Sequence, residues 1–260
     1  RMPAAERQER AQLVPPHQEL GAFLPFCRGH AEKGTPRKEP WAFGDAATAH
    51  VRTALERRMR LVPTLASLLA LARSNGTPVC RPVWFADPAD ARLRAIDDAF
   101  LVGDDLLVAP IVAPGERKRS VELPDGGWYR LEHDGGRIDG RRAEADAALG
   151  ATPLFARSGG VLVEGAVTQS AASDDGTRAV TLFLDADGRA RGTHVEDDGV
   201  GAGTGERVVV RAERTEGGAR VEVQASAEVE RSRWRSFVVR DDRAVHRVRA
   251  TWTTASTSSR

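Results

Sequence analysis

Residues 44–85 read GDAATAHVRTALERRMRLVPTLASLLALARSNGTPVCRPVWF, and the change of period inside them decides the fold. From Gly44 to Ser74, the apolar residues Val51, Leu55, Met59, Val62, Leu65 and Leu69 recur at three- and four-residue steps, which places them on one face of a helix. Asp45 is a suitable N-cap, and Asn75-Gly76 a suitable stop. Pro63 lacks an amide donor and crowds the preceding turn, so the spacing predicts a kink or two consecutive helices. After Gly76 the period becomes extended, with short apolar runs separated by Gly, Pro and Asp.

Working outward, one series of runs comprises Val79–Phe85, Leu106–Val112, Val121–Leu123, Trp128–Leu131 and Leu154–Val163. A second series follows the Asp174-Asp175-Gly176 turn: Ala179–Leu184, Arg207–Ala212, Ala219–Ala225, Trp234–Val239 and Ala244–Trp252. Glu216-Gly217-Gly218 lies between two of these runs and suits a hairpin, because glycine tolerates the positive φ of tight turns. The polar opening, with Pro15 and Pro16 together, has no usable period and reads as an irregular lead-in over 1–19. The Ser- and Thr-rich end after Trp252 reads as frayed.

The bulk numbers narrow the function classes. A chain of 260 residues exceeds one typical domain. Lys and Arg number 38 against 37 Asp and Glu, which gives no broad cationic footprint for nucleic acid or an anionic membrane. No apolar run reaches the roughly 18 residues a membrane helix needs, so a soluble protein is expected. The two cysteines, Cys27 and Cys80, are too few for a disulfide framework and lack metal-ligand spacing; reduced, packed thiols are the expectation. The compartment stays open, with the cytoplasm as default. Nothing at the start has signal-peptide order, but the chain opens with Arg1 and is expected not to begin at a native N-terminus.

Seven phrases stand in order along the chain: Gly21-Ala22-Phe23-Leu24-Pro25-Phe26-Cys27-Arg28-Gly29-His30 with the following Thr35–Gly44; Arg60-Leu61-Val62-Pro63; Gly76–Pro82; Gly103–Pro110; Leu123–Tyr129; Thr152–Gly160; and Glu196-Asp197-Asp198-Gly199. Together they resemble glycoside hydrolase family 31, of the α-glucosidase type, with Gly76–Pro82 similar to its last barrel strand. Where the family has tyrosines after its helical Leu-Pro, this chain has Thr64 and Leu65. The resemblance implies an α+β, mainly β chain: a helix-and-loop remnant of the end of a (β/α)8 barrel at 20–77, then two antiparallel β-sandwich domains, proximal at 78–165 and distal at 166–260.

It further implies a C-terminal fragment of a retaining α-glycosidase acting on terminal α-linked sugars, without metal or cofactor. Retaining hydrolysis takes two carboxyl groups about 5 Å apart. In the family both are aspartates upstream of the matched segment, so this chain alone is expected to hold no catalytic residue and no activity. Its partners would be an α-glucoside and the upstream barrel part of the same protein, with neither nucleic acid nor membrane. By resemblance, His30 reaches the glucosyl ring, a role that suits imidazole, which donates from one nitrogen and accepts on the other. Arg28 is expected to hold that loop through its donor fork to backbone carbonyls or a carboxylate.

Other candidates read more simply as structure. Asp45, Asp87, Asp90, Asp97 and Asp98 suit capping and turns. Trp41 and Phe43 suit packing against the barrel rather than sugar stacking. Asp197-Asp198-Gly199 is too poor in oxygen ligands for calcium and reads as a β-turn. The arginines from Arg231 to Arg240 read as the wet face of a strand, and His50 and His194 as surface groups. The alternative function is a non-catalytic carbohydrate-binding or structural accessory module. The binding version needs an exposed aromatic face, whereas Trp84, Trp128, Trp234 and Trp252 lie in apolar strand patterns that favour burial.

Overall fold

The computed structural model describes residues 18–255 apart from 31, 36, 112–117, 133–135, 147–151, 171–172, 197–204, 227–228 and 243. Most of the expected lead-in and the Asp197-Asp198-Gly199 turn therefore lie outside the described residues. Gln18 and Glu19 already belong to a helical turn, with the Ala22 N–H bonded to the Gln18 carbonyl at 3.0 Å, so helical order begins before the expected boundary at 20.

Helix α1 (Asp45–Asn75) runs 31 residues without a break. Gly44, not Asp45, is its N-cap; Asp45 sits in the first turn, where a carboxylate meets the positive end of the helix dipole. Gly76 closes the helix at φ 74°, and its N–H bonds the Ala72 carbonyl at 2.8 Å. The expected division into two helices does not occur, because tertiary contacts hold the stretch around Pro63. Pro63 is buried against Gly165, where an added Cβ would lie 2.9 Å from its ring. The Gly165 N–H donates to the Arg60 carbonyl at 2.8 Å, and the Thr64 hydroxyl donates to the Val163 carbonyl at 2.5 Å. One turn on, the Ser67 hydroxyl accepts the Val195 N–H at 2.9 Å. Packing of this kind, more than propensity, keeps a helix whole. No helix among the described residues is long and apolar enough to cross a membrane.

The proximal sandwich contains β1 (Cys80–Pro82), β2 (Phe100–Val102), β3 (Leu106–Val108), β4 (Lys118–Glu122), β5 (Trp128–Arg130), β6 (Arg142–Asp146) and β7 (Leu154–Arg157). An antiparallel sheet of order β1-β2-β3-β7-β5 faces the β4-β6 pair. Period-two alternation splits its side chains cleanly. Leu101, Leu107, Trp128 and Phe155 pack toward Val121, Leu123 and Ala143. Val102, Leu106, Val108, Tyr129 and Leu154 pack on the other side with Phe23 and with Leu61 and Leu65 of α1. A sheet covered on both faces has no need of polar alternation, which explains unbroken runs such as Leu106-Leu107-Val108. The last three residues of the Val79–Phe85 run are not strand; Val83–Phe85 coil into a 3-10 turn. Cys80–Pro82, similar in sequence to a barrel strand, pairs here with β2.

The distal sandwich contains β8 (Val161–Glu164), β9 (Arg178–Phe183), β10 (Arg189–Glu196), β11 (Glu206–Thr215), β12 (Gly218–Ala225), β13 (Trp234–Arg240), β14 (Val245–Val248) and β15 (Ala250–Thr254). Its sheets have the orders β10-β11-β12-β15 and β14-β13-β9-β8, closed over Val180, Leu182, Val208, Val210, Val223 and Phe237 among others. Thr215 pairs with Gly218 across the expected hairpin.

Three expectations need correction. The Leu154–Val163 run breaks at Ser158-Gly159-Gly160, where Gly159 takes φ 86°, and Val161 then pairs with Leu182. The chain thus enters the distal sandwich before the boundary at 166. The Ala244–Trp252 run divides at Arg249, with β14 in one sheet and β15 in the other. Finally, the sheets are not antiparallel throughout. β9 with β13, and β12 with β15, are parallel, each pair joined by a crossover well beyond the dozen or so residues such a connection requires.

Candidate functional site

His30 stands exposed in the loop between Ala22 and helix α1. Its Nδ1 lies 2.7 Å from Arg28 Nη2, and the Arg28 guanidinium covers the Phe26 ring at 5.5 Å. Among the described residues, Arg28 meets neither a backbone carbonyl nor a carboxylate. The loop's backbone is held by Arg58 of α1, whose fork donates to the carbonyls of Leu24 at 2.6 Å, Pro25 at 3.0 Å and Ala22 at 3.2 Å. The sequence carried a signal for Arg58: an arginine set between the buried helix positions Ala54 and Leu61. Phe26 is 73% exposed and Trp41 64%, while Phe43 is half-buried.

The remaining sequence candidates divide between confirmation and correction. Asp90 caps the short turn after it by accepting the Arg92 N–H at 3.0 Å, and Asp87 accepts the Ala89 N–H at 3.1 Å. Asp98 pairs with Arg119 at 2.7 Å. His194 is not a surface group. It is 4% exposed, edge-on to Trp234 with ring centroids 5.6 Å apart, and its Nε2 lies 3.4 Å from Glu196. Arg240 leaves the wet series: it is 5% exposed, over the Tyr129 and Phe183 rings at 5.8 and 5.5 Å. Trp128 and Trp234 are buried as expected, but Trp84 is exposed, tilted on Phe85 at 4.8 Å. The sequence reading also missed Glu19. Burial at the seam between α1 and the proximal sandwich pushes its carboxyl up to about 7, against a partly offsetting bond from Thr152.

Two family models match in succession. The family 31 TIM-barrel domain covers residues 7–68 and the family 31 C-terminal domain residues 76–162, together more than half of the chain. The chain belongs to glycosyl hydrolase family 31. Alpha-glucosidase 2 of Bacillus thermoamyloliquefaciens is 32% identical over 190 residues, 72% of this chain and 24% of the relative. Neutral alpha-glucosidase C of Mus musculus is 34% identical over 193 residues, 73% of this chain and 22% of the relative. The chain thus spans about a quarter of the length of the curated relatives it matches. Among solved structures, a family 31 alpha-glucosidase from Bacteroides thetaiotaomicron superposes with TM-score 0.68 at 33% identity, over 85% of this chain and 35% of that one. The family 31 dextranase of Flavobacterium johnsoniae, in complex with glucose, superposes at TM-score 0.78 over 90% of this chain and 30% of that one; at 24% identity this likeness concerns the fold.

Proposed function

We propose that this chain is the C-terminal portion of a retaining α-glycosidase, in which His30 hydrogen-bonds the glucosyl ring and both catalytic aspartates come from barrel segments upstream. The observation that carries this reading is the number of large apolar side chains left exposed along residues 26–69, the stretch that includes His30. Phe26 and Trp41 are exposed, as are Leu55 and Leu69 on α1. Large apolar side chains left exposed along one stretch of chain are the kind of surface that another element covers. The remainder of the barrel is the natural occupant, since a complete (β/α)8 barrel takes about 250 residues and the barrel model matches only 7–68. Asp87 and Asp90 serve turns and Asp98 an ion pair, which is consistent with a nucleophile and proton donor supplied from upstream. We further propose that the two sandwiches serve as structural support for the barrel; Pro63, Thr64 and Ser67 of α1 grip the free edges of β8 and β10.

This polypeptide alone is expected to give no turnover of p-nitrophenyl α-glucoside above a buffer blank, because the pair of carboxyl groups is missing. Activity that persisted through rigorous purification would overturn the proposal. In the enzyme restored by fusing the upstream part, His30→Ala is expected to lower kcat/KM roughly thirtyfold or more, equivalent to about 2 kcal/mol of transition-state stabilisation. Stability should change by no more than about 0.5 kcal/mol, as for other exposed positions. A variant that kept wild-type kcat/KM yet melted several degrees earlier would make His30 a packing residue.

A further inference from the structure

We propose that Arg28 is a positioning residue for the sugar site, fixing His30 in the tautomer that carries its proton on Nε2 and holding the ring in place. This rests on the reading that His30 meets the sugar. A guanidinium has only donors and does not lose its charge in proteins. The 2.7 Å contact between Arg28 Nη2 and His30 Nδ1 therefore has one polarity: arginine donates and Nδ1 accepts. A neutral imidazole whose Nδ1 is an acceptor must hold its proton on Nε2. Nε2 is the ring atom farthest from the backbone, so the loop presents a donor outward, suited to a hydroxyl oxygen of a sugar ring.

The geometry that sets this tautomer is built in steps from a rigid element. Arg58, on helix α1, fixes the loop's base through the carbonyls of Leu24 and Pro25. Phe26, Arg28 and His30 then follow at two-residue intervals, and their mutual contacts bring the three side chains together on the loop. The Phe26 ring lies under the Arg28 guanidinium at 5.5 Å, within cation–π range. Arg28 is thus held at one side by an aromatic face and at the other by the imidazole it orients. Three flexible side chains share one arrangement before any ligand arrives, which lessens the ordering that binding would require.

The test begins with this chain labelled with 15N at histidine and studied at a pH where the rings are neutral. In the wild type, long-range 1H–15N correlation should place His30 Nδ1 at the shift of an unprotonated acceptor and Nε2 at that of a protonated donor. Arg28→Met should move the two shifts toward each other, as a tautomer mixture does. Arg28→Lys, whose ammonium can also donate, should restore much of the difference. The buried His194 should keep its shifts in both variants, which controls for unfolding. A protonated Nδ1 in the wild type, or identical His30 shifts in all three proteins, would overturn the proposal. In the restored enzyme, Arg28→Met should lower kcat/KM about tenfold, and should have no further effect once His30 is Ala. If His30→Ala were kinetically silent while the tautomer still followed residue 28, the sugar-site reading would fail and the positioning contact would stand.

Discussion

Arg178→Met is expected to remove about 3 kcal/mol of stability at pH 7, measured by urea denaturation, with the loss shrinking as the pH falls toward 4. Arg178 is 6% exposed and makes a two-bond fork with Glu196, at 2.9 and 3.1 Å, while its other side reaches Asp174 at 3.0 Å. Removing one member of a buried charged group typically costs 3–5 kcal/mol, because the partners remain buried without compensation. Here Glu196 and Asp174 retain some water contact, which places the expected loss at the low end of that range. The pH dependence has a definite sign. Burial pushes the Glu196 carboxyl up, but hydrogen bonds from His194 and Arg178 outweigh it and leave the group below its ordinary value. A depressed carboxylate contributes stability that is present above its unfolded pKa and lost as pH falls through the folded one. The variant gives up that contribution, so it should approach wild type in acid. Met at 178 combined with Glu196→Gln should recover part of the loss, since the uncompensated charge is then gone. A loss below about 0.5 kcal/mol at neutral pH would show that the cluster is solvated and contributes little.

What the sequence disclosed about this fold follows from which signals are local. Helix α1 was legible from its three- and four-residue apolar steps, and Gly76 from the need for a left-handed residue at a helix end. Strands with apolar side chains on both faces, such as Leu106–Val108, announced themselves as runs. β6, Arg142–Asp146, and β10, Arg189–Glu196, did not: their inward positions include Ala143, Ala145 and Ala190, and small residues between charged ones give no hydrophobic alternation strong enough to read. The sheet to which a strand belongs is less local still. Nothing within Val161–Glu164 says that it pairs with Arg178–Phe183 and leaves Leu154–Arg157 behind; only the turn at Gly159 hints at the break. Pro63 is the reverse case, since its local tendency to end a helix is met by contacts with a sandwich a hundred residues away, and the helix continues through it. At the candidate site, His30 came from a phrase resembling a family, whereas the pairing of Arg28 with its ring is a matter of side-chain geometry that no spacing specifies.

Asp105→Asn is expected to stabilise the protein by about 2 kcal/mol at pH 7 and hardly at all at pH 4. Asp105 ends the turn before β3, and its carboxyl accepts the Val161 N–H at 3.1 Å, so close to Gly160 that an added Cβ there would lie 2.8 Å from its Cγ. Its backbone carbonyl accepts the Arg157 N–H at 2.8 Å, which makes this residue the stitch between β3 and the turn leading into the distal sandwich. Burial pushes the carboxyl up to about 6; the Val161 N–H draws it down, the Asp104 carboxylate adds to the rise, and Arg157 and Arg81 offset part of it. The folded protein therefore holds a proton that the unfolded chain has released between about pH 4 and pH 6. Stability from this residue is complete below the unfolded value and is lost as pH rises through about 6. A rise from 3.8 to about 6, at 1.36 kcal/mol per pH unit, is worth about 3 kcal/mol, and the water contact the residue keeps reduces this toward 2. Asparagine offers Val161 the same carbonyl acceptor and never ionises, so it carries none of the penalty. Melting curves of the two proteins from pH 4 to 8 should diverge between pH 4 and 6 and run parallel above. A constant difference across that range would mean that Asp105 does not titrate there and that its carboxyl is solvated.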